Sequence, residues 1–179
     1  MALLPRLTIE DFEKLPQATV ENRELIDGEL VDVSGNSGNH NALRGWLEAL
    51  LLLHVTQNKL GRVLAEQEFD FQGNAHGPDV TFFGRDKAGL YDGQRRVQRF
   101  VPDLAIEIVS QNDKFDDLMK KAQRYRNCAV SEVWIFSIET RQAWLFSESE
   151  TVILGADRDF RPGLIPGFSI RLGDLFDRI

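Results

Sequence analysis

The sequence predicts one mixed α/β (α+β) domain, and three observations support this fold class. Apolar residues recur at helical spacing over residues 40–58 and 113–127. Short apolar segments typical of strands lie between and after these two helices. The chain has no internal repeat and no linker, so its 179 residues are expected to share one core. We therefore expect a single domain spanning residues 1–179.

The N-terminal elements follow from capping and turn residues. Residues 8–11 have the spacing of a capping box, which predicts a helix over residues 9–15 that Pro16 ends. Asp27-Gly28 is a typical two-residue turn and predicts a hairpin over residues 24–31.

The rest of the chain is predicted to alternate strands with the two longer helices. A loop over residues 34–39 precedes the first long helix, and Gly61 ends that helix. Strands are expected over residues 62–71, 79–83, 101–110, 132–137 and 142–147. The tail over residues 162–179 is predicted to be irregular, with one helical turn from Asp174.

Composition excludes several classes of protein. Hydrophobic content of 42% and charged content of 27% are ordinary for a globular domain, and no apolar run approaches the roughly 18 residues of a membrane helix. The apolar segment at the N-terminus is too short for a signal peptide. A single cysteine, Cys128, excludes an internal disulfide framework and argues against a cysteine-based zinc site. We expect a cytoplasmic protein with no membrane association.

Two predicted strands each carry a carboxylate. Glu107 lies in the middle of an apolar strand, where a charged side chain is costly unless something compensates it. Asp79 opens the strand before it, and neighbouring strands lie about 4.8 Å apart. If the two strands pair, both carboxylates could bind one Mg²⁺ ion. Asp103 shares a face with Glu107 but lies at the start of its strand, where exposure costs little.

Lys121 is the cation closest to this carboxylate pair in the predicted arrangement. The helix over residues 113–127 has a buried stripe comprising Phe115, Leu118, Ala122 and Tyr125. Lys121 projects at the edge of that stripe, whereas Lys120 projects to the opposite face. Its ammonium could stabilise a phosphate under attack, or its stem could simply cover apolar surface.

A basic segment interrupts an otherwise acidic chain. The formal net charge of the chain is −7, which argues against nonspecific coating of nucleic acid. Residues 84–99 nevertheless have a local net charge of +3. This segment is either a solvated loop or a contact surface for a phosphate backbone. Its cations are Arg85, Lys87, Arg95, Arg96 and Arg99.

The order of these motifs resembles the PD-(D/E)XK nuclease superfamily. Asp79 follows a proline, Glu107 follows on the next strand, and Val109 stands where the usual lysine would be. With the lysine moved onto the next helix at Lys121, the pattern resembles the Uma-two (Uma2) family of restriction-type endonucleases. The resemblance spans nearly the whole chain, including residues 24–30, 102–110, 130–135 and 165–168.

The resemblance implies a restriction-endonuclease-like core, in which a central mixed sheet is flanked by helices. It implies that Asp79 and Glu107 bind Mg²⁺ or Mn²⁺, that Lys121 is the catalytic cation, and that DNA is the substrate. Glu24 matches an upstream glutamate of the family, and His40 matches a histidine that opens the long helix. The expected activity is metal-dependent hydrolysis of phosphodiester bonds.

Two other functions are compatible with the same residues. The fold could be a catalytically inactive binding or assembly module, in which Lys121 instead of a metal ion satisfies Glu107. A small-molecule phosphohydrolase would suit the acidic chain, but the sequence has no nucleotide-binding loop. A homodimer would allow both strands of a duplex to be cleaved, although no sequence feature identifies one.

Overall fold

The computed structural model describes residues 6–33, 36–110 and 114–179. Part of the loop predicted over residues 34–39 and the first residue of the helix predicted over residues 113–127 lie outside the described residues. The side chain of Phe115 is also outside the description, so its predicted place in the buried stripe stays a prediction.

The N-terminal elements confirm the capping box and the hairpin. Thr8 Oγ1 accepts from the Asp11 amide and the Asp11 side chain accepts from the Thr8 amide, which closes the first turn. The hairpin turns at Asp27 and Gly28, both at positive φ, as a tight turn between twisted strands requires. The elements are α1 (Ile9–Lys14), α2 (Gln17–Val20), β1 (Arg23–Ile26), β2 (Glu29–Asp32) and α3 (Gly38–Gln57).

The strand predicted over residues 62–71 is wrong as one element. It is two strands in different sheets, because Glu66 has a φ of 53° and redirects the chain between them. The elements of this part are β3 (Gly61–Ala65), β4 (Glu68–Asp70), β5 (Ala75–His76), β6 (Val80–Gly84), a 3-10 turn (Ala88–Leu90), β7 (Val97–Gln98), β8 (Leu104–Val109) and α4 (Phe115–Asn127).

The C-terminal part has more regular structure than its sequence indicated. The predicted strand pair is confirmed, and a further strand pairs with its second member. The tail is irregular up to residue 169 and ends in a short helix that includes Asp174, as predicted. Its unpredicted element is a two-residue strand, Ile170–Arg171, which pairs with Asp159–Phe160. These elements are β9 (Glu132–Ser137), β10 (Gln142–Phe146), β11 (Thr151–Gly155), β12 (Asp159–Phe160), β13 (Ile170–Arg171) and α5 (Leu172–Phe176).

A mixed six-stranded sheet forms the centre of the fold, in the order β11-β10-β9-β8-β6-β3. Strands β8 and β9 are parallel, and the other neighbours in this sheet are antiparallel. Helix α4 connects the parallel pair, as a crossover connection requires. A second sheet has the order β2-β1-β5-β4-β7.

The middle strands of the central sheet are buried on both faces, which explains why β8 and β9 are apolar apart from Glu107, Glu132 and Ser137. On one face Leu104, Ile106 and Ile108 pack in a cluster with α3 and the C-terminal segment. On the other face Ala105 packs with buried residues of α4, including Ala122 and Tyr125. Glu107 shares this second face because alternate strand residues point the same way. No helix among the described residues has the length and apolarity needed to cross a membrane.

Candidate active site

Glu107 lies on β8, and Asp79 immediately precedes its antiparallel neighbour β6, so the strand pairing that a shared site requires is present. Val80 of β6 pairs with Ile106 of β8, and continuing this register sets Asp79 opposite Glu107. Both side chains are largely buried, with Asp79 9% and Glu107 7% exposed. The strand pairing therefore brings two carboxylates from distant parts of the sequence to one place on the sheet.

Main-chain and histidine donors hold Asp79 in place. Its Oδ2 atom accepts a hydrogen bond of 2.7 Å from the Ile108 amide. His40 Nε2 lies 3.2 Å from the same oxygen and 3.2 Å from the Ile108 carbonyl oxygen. Burial lowers the pKa of His40, but the hydrogen bond and charge of Asp79 raise it more, so the net shift is upward. His40 reaches this position from the first turn of α3, which the Ser37 side chain caps.

Lys121 bridges Glu107 and Glu24. Its Nζ atom lies 3.1 Å from Glu107 Oε1 and 3.0 Å from Glu24 Oε1. The Lys121 side chain is 19% exposed, so its stem crosses apolar surface while its ammonium enters the site. Burial lowers the pKa of Lys121, but the two carboxylates outweigh burial and raise it, which keeps the ammonium charged.

Burial in the sheet raises the pKa of Glu107 above its ordinary value. Burial raises its pKa, Lys121 opposes that rise, and the charges of Asp79 and Glu24 add to it, which leaves the pKa at about 7. Tyr125, one helical turn after Lys121, donates a hydrogen bond of 2.6 Å to Glu107 Oε1. The site therefore contains a glutamate that can exchange a proton near neutral pH.

Glu24 has the opposite ionisation. Burial raises its pKa, but the ammonium of Lys121 and the hydrogen bond and charge of His76 outweigh burial and lower the pKa to about 2. His76 Nδ1 lies 2.8 Å from Glu24 Oε2, and the Gly77 amide donates to Oε1 at 3.1 Å. Glu24 therefore remains a carboxylate and acts as the anchor of Lys121.

Sequence reasoning missed His76 as a member of this cluster. From the sequence alone, His54 and His76 are both expected to be structural or solvated. His54 Nε2 lies 2.9 Å from the Pro166 carbonyl oxygen, away from the site. His76 is 1% exposed and its ring packs edge-on against Tyr125. The signal was present, because His76 stands three residues before Asp79 in the same short segment.

These side chains lie at one cavity of about 550 Å³. Its lining combines the predicted site residues with residues of the β1–β2 hairpin and of α4. The lining includes Glu24, His40, His76, Asp79, Glu107 and Lys121. The structure thus brings all five predicted catalytic residues to a single cleft.

A sequence profile of the Uma2 family, described as "Putative restriction endonuclease", matches residues 9–173. The chain belongs to the Uma2 family. This membership supports nuclease chemistry in general. Among curated proteins, none matches the chain.

A solved structure shows the fold of this Uma2 protein. The crystal structure of "a putative nuclease belonging to DUF820" from Anabaena variabilis ATCC 29413 aligns with a TM-score of 0.84 at 18% identity, covering 96% of this chain and 98% of that one. The fold is restriction-endonuclease-like, as the resemblance implied. The cryoEM structure of a DrdV–DNA complex aligns with a TM-score of 0.44 at 17% identity, covering 79% of this chain and 11% of that one.

The donor set of this Uma2 chain fits a hard divalent cation. Within the described residues, no three His, Cys, Asp or Glu side chains are grouped so that they could hold a metal ion by themselves. Two facing carboxylates do fit Mg²⁺, which takes oxygen ligands and keeps several waters. Asp79 and Glu107 are the residues that would hold such an ion.

Four of the five cations predicted to contact nucleic acid have carboxylate neighbours within the protein. Arg96 binds Glu68 through two hydrogen bonds of 2.6 and 2.8 Å. Arg99 pairs with Glu13 at 2.7 Å, and Lys87 pairs with Asp103 at 2.5 Å. Arg95 lies 4.0 Å from an aspartate, and Arg85 is exposed. None of the five lines the cavity, and their contact with DNA stays a prediction.

Asp103 has a structural role consistent with its position at the start of β8. Its Oδ2 atom accepts a hydrogen bond of 2.7 Å from the Gly84 amide, and its other oxygen holds Lys87. Asp103 therefore ties the end of β6 to the start of β8, the two strands that position Asp79 and Glu107.

Proposed function

We propose that this protein is a metal-dependent endonuclease that hydrolyses DNA phosphodiester bonds. The observation that carries the proposal is the convergence of Asp79, Glu107 and Lys121 in one cleft. Paired carboxylates with a neighbouring ammonium suit phosphoryl transfer, since negative charge develops on the phosphate oxygens during attack. Membership in the Uma2 family supports the same chemistry.

Asp79 and Glu107 would hold Mg²⁺ or Mn²⁺. When bound, such an ion acts as a Lewis acid toward the phosphate under attack. The hydrogen bonds from the Ile108 amide to Asp79 and from Tyr125 to Glu107 orient the two carboxylates before any cation arrives. This preorganisation limits the rearrangement needed on binding.

Lys121 supplies a fixed positive charge beside the reacting phosphate. Its ammonium lies between Glu24 and Glu107, so it can donate a hydrogen bond to the attacking water or to a phosphate oxygen. Glu24 accepts from that ammonium, and His76 Nδ1 in turn holds Glu24 in place. His40 Nε2 lies within hydrogen-bond distance of Asp79 Oδ2 and of the Ile108 carbonyl oxygen. Glu24 and His40 therefore act as positioning residues in this proposal.

Plasmid nicking in the presence of Mg²⁺ or Mn²⁺ tests the proposal. The wild-type protein is expected to cleave, whereas Asp79→Asn, Glu107→Gln and Lys121→Ala are expected to lose cleavage. Mn²⁺ should also raise the melting temperature of the wild type but not of Asp79→Asn, because a ligand that binds only the folded state stabilises it. Absence of metal-dependent cleavage by the folded wild-type protein would overturn the proposal.

A second candidate is a binding or assembly module that has kept the nuclease fold. The ion pair between Lys121 and Glu107 favours it, because the pair already compensates the buried carboxylate without a metal ion. Titration calorimetry with Mn²⁺ separates the two candidates. Binding with a stoichiometry near one that Asp79→Asn abolishes favours the enzyme, whereas no heat of binding favours the module.

A further inference from the structure

The lysine and arginine side chains that line the cleft all come from one element. They are Lys114, Lys120, Lys121 and Arg124, and together they belong to α4 and its N-cap position. Residues 114 and 124 are ten apart, which is about 15 Å along a helix. These four cations therefore border the cleft over about that length. Within the protein, Lys120 pairs with Asp117 at 3.0 Å and Arg124 with Asp27 at 3.3 Å, while Lys121 reaches Glu24 and Glu107.

The β1–β2 hairpin forms a border of different character. Its cleft residues include Ile26, Val31 and Val33, and Val31 and Val33 are 38% and 41% exposed. The hairpin therefore presents an apolar surface that suits an uncharged planar group.

We infer that this cleft takes an unpaired DNA strand, with its phosphates along α4 and its bases against Ile26, Val31 and Val33. The inference rests on the proposed function and adds the class of substrate. It also assigns the phosphate contacts to Lys114 and Lys120 in place of the basic segment over residues 84–99.

The two faces of a single strand explain the asymmetry of the cleft. An unpaired strand exposes charged phosphates on one side and apolar base faces on the other. A duplex encloses its base faces by stacking and pairing and presents two charged backbones, so one backbone would lie beside the valines of the hairpin. A cavity of about 550 Å³ is also the size of a small-ligand pocket.

Fluorescence anisotropy with labelled oligonucleotides tests this inference. Binding is measured in Ca²⁺, a hard cation that takes oxygen ligands, with single-stranded and duplex DNA of the same sequence. The wild-type protein is expected to bind the single strand at least several-fold more tightly. Equal or tighter binding of the duplex would overturn the inference while leaving the proposed function intact. Binding of neither DNA would overturn both.

Charge variants identify the border that binds phosphate. Lys114→Gln and Lys120→Gln should each weaken binding and lower the slope of log affinity against log salt by about 0.7, the value for one contact to a single strand. Arg85→Gln is the matched control, because Arg85 is an exposed cation of the basic segment outside the cleft. A reduced slope for Arg85→Gln with unchanged slopes for the two lysine variants would overturn the assignment.

Hairpin variants test the contact with bases. Val31→Ser and Val33→Ser should weaken binding of a normal single strand but have little effect on a strand with abasic sites in the cleft. Ile153→Ser is the control, since Ile153 is an exposed apolar residue on β11. Strand β11 is an edge strand of the central six-stranded sheet, whereas the hairpin belongs to the second sheet. Equal losses with normal and abasic strands would show that the valines do not contact bases.

Discussion

The Tyr125 hydroxyl donates a hydrogen bond of 2.6 Å to Glu107 Oε1, and this bond joins helix α4 to the centre of the sheet. Tyr125 is fully buried between Phe71 and His76, so its ring fixes the position of the hydroxyl. The same helix carries Lys121, whose ammonium also reaches Glu107. The packing of α4 therefore determines the surroundings of Glu107.

Removing this hydroxyl should destabilise the protein without disrupting the core. Tyr125→Phe keeps the ring but leaves a buried acceptor with one donor fewer, so we expect a loss of about 1–2 kcal/mol in the free energy of unfolding. Urea denaturation measures it. Tyr91→Phe is the control, because Tyr91 packs its ring on Phe83 and is only half-buried. An equal loss in both variants would contradict the role given to the Tyr125 hydroxyl.

Two neighbouring lysines should respond very differently to the same substitution. Lys121→Met leaves Glu24 and Glu107 buried without their cation, which should cost about 3 kcal/mol or more near pH 7. Lys120→Met removes only an exposed pair with Asp117, so the free energy of unfolding should not change measurably. Thermal and urea unfolding of both variants give the comparison. Similar stability of the two variants would show that Lys121 does not compensate the carboxylates.

Acid should destabilise the wild type more steeply than Glu24→Gln. The pKa of Glu24 is about 2 in the folded protein, below its ordinary value of 4.5. As the pH falls below 4.5, the unfolded chain takes up this proton first, so stability is lost between pH 4.5 and 2. The loss amounts to at most about 1.4 kcal/mol per pH unit.

Urea unfolding in EDTA at pH 5.0, 4.0 and 3.0 measures this difference in slope. Glu24→Gln has no carboxylate at this position to take up a proton, so its free energy of unfolding should change less between pH 5.0 and 3.0. At pH 5.0 its free energy of unfolding should be lower than that of the wild type. Parallel curves would indicate that Glu24 titrates normally in the folded protein.

Ala129 is expected to be a site where glycine stabilises the fold. It has a φ of 66°, in the left-handed region that costs a residue with a Cβ atom about 1–2 kcal/mol. Glycine removes that cost but loses more entropy on folding, so Ala129→Gly should stabilise by roughly 0.5–1 kcal/mol. The melting temperature measures the gain. Ala156→Gly serves as the comparison, because Ala156 is outside the residues with positive φ and should gain nothing.

Local chemistry made part of the site predictable. The alternation around Glu107 identified a carboxylate on a buried strand, and helical spacing identified Lys121 as the lysine that reaches it. The prediction that Lys120 projects to the opposite face is wrong, because Lys120 also lines the cleft. The pairing of β6 with β8 was the condition for a shared site, and the structure shows it. The contacts of His40, His76 and Tyr125 with the carboxylates were not expected. They depend on which side chains of other elements reach the same carboxylates.

His76 shows why the sequence was insufficient at this level. Its role depends on β5 pairing with β1, which sets it beside Glu24 across 52 residues of sequence. The break of the strand predicted over residues 62–71 is a similar case. Glu66 has no turn signature of its own. Its positive φ follows from the path of the chain, which leaves one sheet after β3 and enters the other at β4.

The sequence by itself determined the fold class, the two carboxylate strands, the helix that carries Lys121 and the family, because each depends on periodicity or on motif order. Only the tertiary structure decided the partners of each charge. It paired Lys121 with Glu24 as well as Glu107, and it bound Arg96 and Arg99 to carboxylates away from the cleft. It placed Lys120 and Arg124 at the cleft, beside Asp117 and Asp27. The physical reason is that burial and ion pairing act through space, between residues that sequence spacing does not relate.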